Sequence, residues 1–132
     1  MPIAVEYLQS LSYQDQEDLR KIYRDAPAVF FAPFTDAVQL IESCLEEGSL
    51  VAARMNDRLL GAARLQRRHN TWELSHLCVR NLTRRRGIAE CLVLDAQKTA
   101  QQAGCELRLL TPAESPEVQA LAATTRISML IS

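Results

Sequence analysis

Aromatic residues make up only 5% of this 132-residue chain, and Trp72 is the sole aromatic between Val51 and Glu90. The arginine-rich middle of the chain therefore lacks the stacking platforms that single-stranded nucleic-acid recognition uses, and no nucleic-acid partner is expected. Long hydrophobic runs are missing too. No apolar stretch approaches the roughly 20 residues needed to cross a bilayer, and Met1-Pro2-Ile3-Ala4-Val5-Glu6 has no basic start leading into an apolar run. These absences point to a cytoplasmic protein without a membrane partner. Cysteine is sparse and spaced without chemistry in view: Cys44, Cys78, Cys91 and Cys105 form no C-x-x-C pair, which argues against zinc or a redox dithiol and for small buried hydrophobes. His69 and His76 are the only histidines, and no metal site is expected from them.

What remains is a globular composition, 48% hydrophobic and 23% charged. Residues 1–132 are expected to form one domain, long enough to bury roughly two-thirds of its unfolded surface. The net charge of −1 hides a segregation: residues 1–48 carry nine acidic groups against Arg20, Lys21 and Arg24, whereas residues 49–88 carry nine arginines against Asp57 and Glu73. The middle of the chain reads as an anion-seeking surface, and its use of arginine suits bidentate phosphate contacts.

The densest charge sits in Thr83-Arg84-Arg85-Arg86-Gly87-Ile88-Ala89. It precedes a helix. Ile88, Cys91, Leu92, Ala96, Thr99, Ala100 and Ala103 recur on one helical face before Gly104. At a helix start the first N–H groups lack intrahelical partners and the macrodipole is positive, so an anion there meets donors and field together. The segment before it, Trp72 to Val79, has a strand composition but a parity break: its apolar positions shift from Trp72 and Leu74 to Leu77 and Val79. Either the strand is buried on both faces or a β-bulge near Ser75–His76 inserts one residue and frees main-chain groups for a ligand.

The remaining pattern predicts a strand over Ile3–Leu8, a helix capped by Ser12 with Asp15 in capping-box position, and a proline-bounded loop holding all three phenylalanines. That loop either lines a pocket or closes over the core. A helix capped by Thr35 or Asp36 and stopped at Gly48 follows. Strands at Leu50–Arg54 and Leu59–Leu65 are joined by Met55–Arg58 as a hairpin around a short Asn-Asp turn; a strand begins at Trp72, the long helix ends at Gly104, and Glu106–Thr111 alternates as a strand. A helix over 116–125 and a strand from Ile127 to Ile131 complete the order β-α-α-β-β-β-α-β-α-β. This is an α/β (α+β) fold with a mixed sheet of about six strands, antiparallel in its N-terminal part, and about four helices.

Arg84-x-x-Gly87-x-Ala89, set between a strand with a parity break and a helix, resembles the acetyl-coenzyme A pyrophosphate loop of the GNAT superfamily of N-acetyltransferases. A narrower similarity, carried by Ser12–Tyr23, Ala52–Leu60 and Leu77–Gly87 in that order, runs from about Ser12 to Leu94 and is to the PanZ family. Residues 26–48 look longer than that family's pattern, and the end after Pro112 aligns poorly. PanZ proteins are acetyl-coenzyme A sensors that bind the aspartate 1-decarboxylase zymogen and promote its self-cleavage in pantothenate synthesis. The resemblance implies that strands 4 and 5 splay around the pantetheine arm. Leu77, Cys78 and Val79 would offer main-chain groups to that arm, and Arg84, Arg85, Arg86, Gly87, Ile88 and Ala89 would hold the pyrophosphate of acetyl-CoA or CoA. Arg54 and Asn56 would contact the decarboxylase. Were acetyl transfer to a primary amine to occur instead, Glu73 or His76 would be the candidate bases. The leaving thiolate's acid is missing: Tyr7, Tyr13 and Tyr23 all lie in the N-terminal part, so sensor and enzyme readings both stay open.

Overall fold

A computed structural model of the chain describes residues 3–24, 26, 28–80, 87–111, 122–123 and 125–131. Six strands form one sheet in the spatial order β1-β2-β3-β4-β5-β6, from Ala4–Tyr7, Leu50–Met55, Arg58–Arg67, Thr71–Val79, Glu106–Thr111 and Ser128–Ile131. The first three pairings are antiparallel and the last two parallel; short turns join β2 to β3 and β3 to β4, two helices lie between β1 and β2, and a helical crossover leads from β4 to its parallel neighbour β5. Three α-helices accompany them: α1 (Tyr13–Tyr23), α2 (Ala37–Glu47) and α3 (Ile88–Gln102). A 3-10 turn at Ala28–Phe31 separates α1 from α2. Most of the helix expected over 116–125 lies outside the described residues.

Both faces of β2 and β3 are buried, which is why their sequences run apolar without clean alternation. On one face Leu50, Ala52, Leu59 and Ala62 meet Leu19, Ile22 and Tyr23 of α1 and Leu40, Ile41 and Cys44 of α2. On the other, Val51, Ala53, Ala63, Leu65, Leu74, Leu107 and Leu109 meet Ile88, Leu92, Val93, Ala96 and Ala100 of α3. The phenylalanine segment closes over the first of these clusters, with Phe31 buried and Phe30 and Phe34 half-buried against it.

Local caps account for the element ends. Ser12 Oγ accepts from the Asp15 N–H at 3.0 Å and Asp36 Oδ1 accepts from the Gln39 N–H at 2.9 Å. Gly48 ends α2 at φ 71°, the left-handed stop that glycine adopts without a Cβ penalty. The β2–β3 connection is the expected Asn-Asp turn: Asn56 and Asp57 take φ 54° and 66°, the positive values that match strand twist in a two-residue hairpin.

Asp18 ties α1 to that hairpin. It is buried and accepts from Arg58 Nε and Nη2 at 3.0 and 2.6 Å, from the Leu59 N–H at 3.1 Å and from Gln14 Nε2 at 3.0 Å. Desolvation pushes its carboxyl pKa up, but these donors together outweigh it and hold the group below its ordinary 3.8. Gly61, in the middle of β3, serves α3 in a different way. A Cβ there would lie 2.8 Å from Ile88 Cγ2 and 3.2 Å from both Leu92 Cδ1 and Val79 Cγ2. Its missing side chain is the space that the first turn of α3 occupies.

Gly61→Val should therefore lower stability by about 1–3 kcal/mol through overpacking against the stiff Ile88 side chain, read as a fall in urea midpoint at unchanged slope. Asp18→Ala should cost about 1–3 kcal/mol at pH 7, because the Leu59 N–H is left buried without an acceptor. A depressed carboxylate stabilises the fold above its unfolded pKa and loses that contribution as pH falls through the folded value. The gap between wild type and Asp18→Ala should thus close below pH 4; a gap that stays constant would remove the carboxylate charge from the account.

Candidate functional site

The parity break in β4 is a bulge. Ala62 pairs with Cys78 and Arg64 with Ser75, so His76 and Leu77 together oppose Ala63. His76 takes φ 54°, a left-handed value uncommon outside glycine but several-fold enriched in histidine, asparagine and aspartate. The register shift returns Leu77 and Val79 to the α3 side of the sheet, where both pack with Ile88 and Leu92.

The same stretch is where β4 and β5 part. They pair only from Thr71–Glu106 to Leu74–Leu109, leaving Ser75–Val79 without a β5 partner. The Arg80 N–H donates to the Leu60 carbonyl at 2.9 Å. Strand alternation therefore turns the main chain of Val79, and of Leu77 two residues earlier, away from β3 toward the gap. Cys78 differs from its neighbours: its main chain lies on the β3 side, opposite Ala62, and its thiol donates to the Ile22 carbonyl at 3.1 Å.

Gly87 begins α3 at φ 71°, and among the described residues no side chain caps the first turn. The N–H groups of Ile88 and Ala89 thus start a 15-residue helix next to Val79 and Gly61. Arg84, Arg85 and Arg86 lie outside the described residues. An open strand edge beside an uncapped helix start fits a ligand combining an amide-bearing arm with a phosphate, the chemistry of coenzyme A.

Three buried polar contacts fasten the bulge. The Tyr23 hydroxyl donates to the His76 carbonyl at 2.7 Å, and burial raises the Tyr23 pKa well above its ordinary 10, so it stays a donor. His76 Nε2 lies 2.9 Å from the Ala32 carbonyl and Nδ1 2.9 Å from Ser75 Oγ. A carbonyl only accepts, so Nε2 carries the proton and the Nδ1 lone pair receives the Ser75 hydroxyl. This geometry leaves His76 no free lone pair with which to act as a base. Burial lowers its pKa below 6.5, the bond to Ala32 opposing and the Arg64 charge assisting.

Glu73, the other candidate base, is 17% exposed and accepts from Arg68 Nε at 2.6 Å. Arg54 is largely committed inside the fold. Its Nε and Nη2 bond Glu6, Nη1 and Nη2 bond Asp15, and Nη1 also reaches the Asp57 carbonyl. Asn56 stands exposed at the hairpin tip.

These pairings revise the picture of an anion-seeking middle. The acids of the first third meet the arginines of the second: Glu6 and Asp15 with Arg54, Asp18 with Arg58, Glu47 with Arg64. Arg67 stacks over the rings of Tyr7 and Trp72 at 5.5 and 5.3 Å. Contact partners were invisible in composition, so a charge count overstated the free positive surface. Tyr23, Ala32 and Gly61 carry no site role in the sequence pattern, and Ser75 enters it only through the bulge. Only Gly61 offered a signal, as a lone glycine inside an apolar strand.

The splayed mixed sheet, the bulge and the uncapped helix define the GNAT fold, and solved acetyltransferases superpose on it. The PaiA N-acetyltransferase of Thermoplasma acidophilum, solved with coenzyme A, matches with TM-score 0.69 at 20% identity over 95% of this chain and 89% of its own. N-acetylglutamate synthase of Neisseria gonorrhoeae, solved with coenzyme A and N-acetyl-glutamate, matches with TM-score 0.70 at 16% identity over 94% of this chain and 28% of its own.

Residues 2–126 match the model of the family described as the acetyltransferase (GNAT) domain, PanZ, and the chain belongs to that family. The match reaches beyond the Ser12–Leu94 stretch in which the resemblance was legible. The chain is 39% identical over 93 residues to the PanD regulatory factor of Salmonella typhimurium, covering 70% of this chain and 65% of that protein. It is 30% identical over 105 residues to the PanD regulatory factor of Escherichia coli, covering 80% and 74%. Among the described residues no group of histidine, cysteine or carboxylate side chains could hold a metal, and no helix is long and apolar enough to cross a membrane.

Because the fold favours neutral His76, the unfolded chain takes up a proton near pH 6.5 that the folded chain resists. Stability should be complete above that pH and decline as pH falls through the depressed folded value. A His76→Asn variant should show a flatter melting temperature than wild type between pH 7 and 5; parallel profiles would exclude His76 as the source.

Proposed function

We propose that this chain is an acetyl-coenzyme A sensor of the PanZ type, which binds the aspartate 1-decarboxylase zymogen, PanD, and promotes its self-cleavage to the pyruvoyl enzyme of pantothenate synthesis. The observation that carries the reading is the juxtaposition of the unpaired Leu77–Val79 edge with the uncapped start of α3 at Gly87. The names of the Salmonella and Escherichia relatives supply the partner.

In this reading the main chain of Leu77 and Val79 binds the pantetheine amides, and the Cys78 side of the strand keeps the edge in place. The N–H groups of Gly87, Ile88 and Ala89 hold the pyrophosphate, with Arg84, Arg85 and Arg86 adding charge-assisted contacts. Acetyl-coenzyme A brings an activated acetyl thioester to the gap between β4 and β5. A sensor needs no base, and the site is poor in them: His76 is occupied, Glu73 is paired, and none of the three tyrosines follows β5. Asn56, exposed on its hairpin, is the better placed of the two proposed partner contacts, Arg54 serving mainly to hold α1 and β1 to β2.

Charge reversal at Arg84→Glu should weaken acetyl-coenzyme A binding about 10- to 100-fold by calorimetry, the value of one charge-assisted contact or more. The PanD zymogen should be captured by the wild-type chain in the presence of acetyl-coenzyme A and less well without it. No capture under either condition would end the sensor reading. Steady release of free thiol with a panel of primary amines would establish the alternative, an active N-acetyltransferase.

A further inference from the structure

One residue fastens the cofactor edge to the segment that closes over the opposite face. We propose that His76 is a positioning residue that makes the Phe30–Thr35 loop and the Leu77–Val79 edge a single mechanical unit, so that occupation of the edge is transmitted to the loop. The proposal rests on the acetyl-coenzyme A reading and goes beyond it by naming the element that couples the site to a second surface.

His76 touches three elements. Its main chain forms the bulge at φ 54°, and its carbonyl is held by Tyr23 of α1. Its imidazole donates to the Ala32 carbonyl and accepts from Ser75. The rings of Phe30 and Phe34 meet the imidazole edge to face, with centroids 5.8 and 5.7 Å away. Strand, helix and loop therefore meet at one side chain that is only 7% exposed.

The loop's rings are also packed, with Phe31 buried in the cluster of α1 and α2 and Phe30 and Phe31 against the Tyr23 ring at 6.1 and 6.0 Å, but these contacts hold side chains and leave the Ala32 main chain to His76. The Phe34 N–H donates to Phe31 within the segment itself, and Thr35 bonds Gln39, at the start of the next helix. Arg64 stacks over Phe34 at 4.9 Å, a contact without the directionality of a hydrogen bond. Ala32 and Pro33 are exposed, so the loop also presents a surface to solvent.

An ordinary core position would use an apolar side chain here, since a buried imidazole must have its polar atoms satisfied. This one is satisfied only while the bulge and the Ala32 carbonyl keep their relative places. The residue after it, Leu77, is the first of the ligand-facing edge. A ligand that fixes Leu77 and Val79 restrains the bulge, the bulge orients the imidazole, and the imidazole holds Ala32. A left-handed backbone persists at a non-glycine residue when its surroundings over-determine it, and His76 is restrained from three sides.

Hydrogen exchange on the full chain, with and without saturating acetyl-coenzyme A, tests the proposal. Wild type should show slowed exchange at Ile88–Cys91 and, about tenfold, at Phe30–Thr35. In His76→Gly, which accepts the backbone angle but lacks the ring, protection at Ile88–Cys91 should persist while that of the loop disappears. His76→Asn, which also tolerates the left-handed angle and is too short to span to Ala32, should behave alike and serves if the glycine variant does not fold. A merely structural histidine would lower the melting temperature in both variants and leave ligand-induced loop protection intact, which would overturn the proposal. So would a wild-type loop indifferent to the ligand. Absence of protection at Ile88–Cys91 in wild type would instead defeat the acetyl-coenzyme A reading itself, and the coupling with it.

Discussion

The parting of β4 from β5 is the constraint on which the rest of the molecule depends. Strand pairing ordinarily consumes every main-chain donor and acceptor, and a sheet that leaves five residues of an inner strand without a neighbour on one side must stabilise them by other means. Here the means are a one-residue bulge, a tyrosine hydroxyl on the bulge carbonyl, and apolar packing of Leu77 and Val79 beneath α3. The opening is thus built into the fold. Gly61 completes it by letting the first turn of α3 settle against β3 beside Val79.

Electrostatics serve assembly more than display. The acidic N-terminal third and the arginine-rich middle are complementary surfaces that meet within the chain, fastening α1 to the β2–β3 hairpin through Asp15, Asp18, Arg54 and Arg58. Exposed pairs of this kind contribute little each. Asp15 and Asp18 are both buried, and Asp18 differs by taking four donors, one of them the main-chain N–H of Leu59. The segregation of charge along the sequence therefore encodes which elements belong together.

Legibility in the sequence followed the range of the forces involved. The helix ends at Ser12, Asp36 and Gly48, the amphipathic face of α3 and the bulge near Ser75–His76 were readable because each is set by neighbours within a few residues. The hairpin and its Asn56-Asp57 turn are legible for the same reason, Met55 and Arg58 pairing across the ladder on either side of it. His76 was read as a titratable group on a strand. Its Ala32 partner is 44 residues away and leaves no local trace. Arg54 was read as a surface contact for the same reason, its carboxylate partners lying 48 and 39 residues off.

By itself the amino-acid order determined the succession of elements, the helix start that favours an anion and the family to which the chain belongs, because these depend on local dihedral preference, periodicity and short motifs. Only the tertiary structure decided which arginines are consumed in ion pairs, that both ring nitrogens of His76 are hydrogen-bonded, to Ser75 and Ala32, and that Gly61 yields its volume to Ile88. Those outcomes depend on which distant groups desolvate one another, and burial of that kind exists only after the chain has closed.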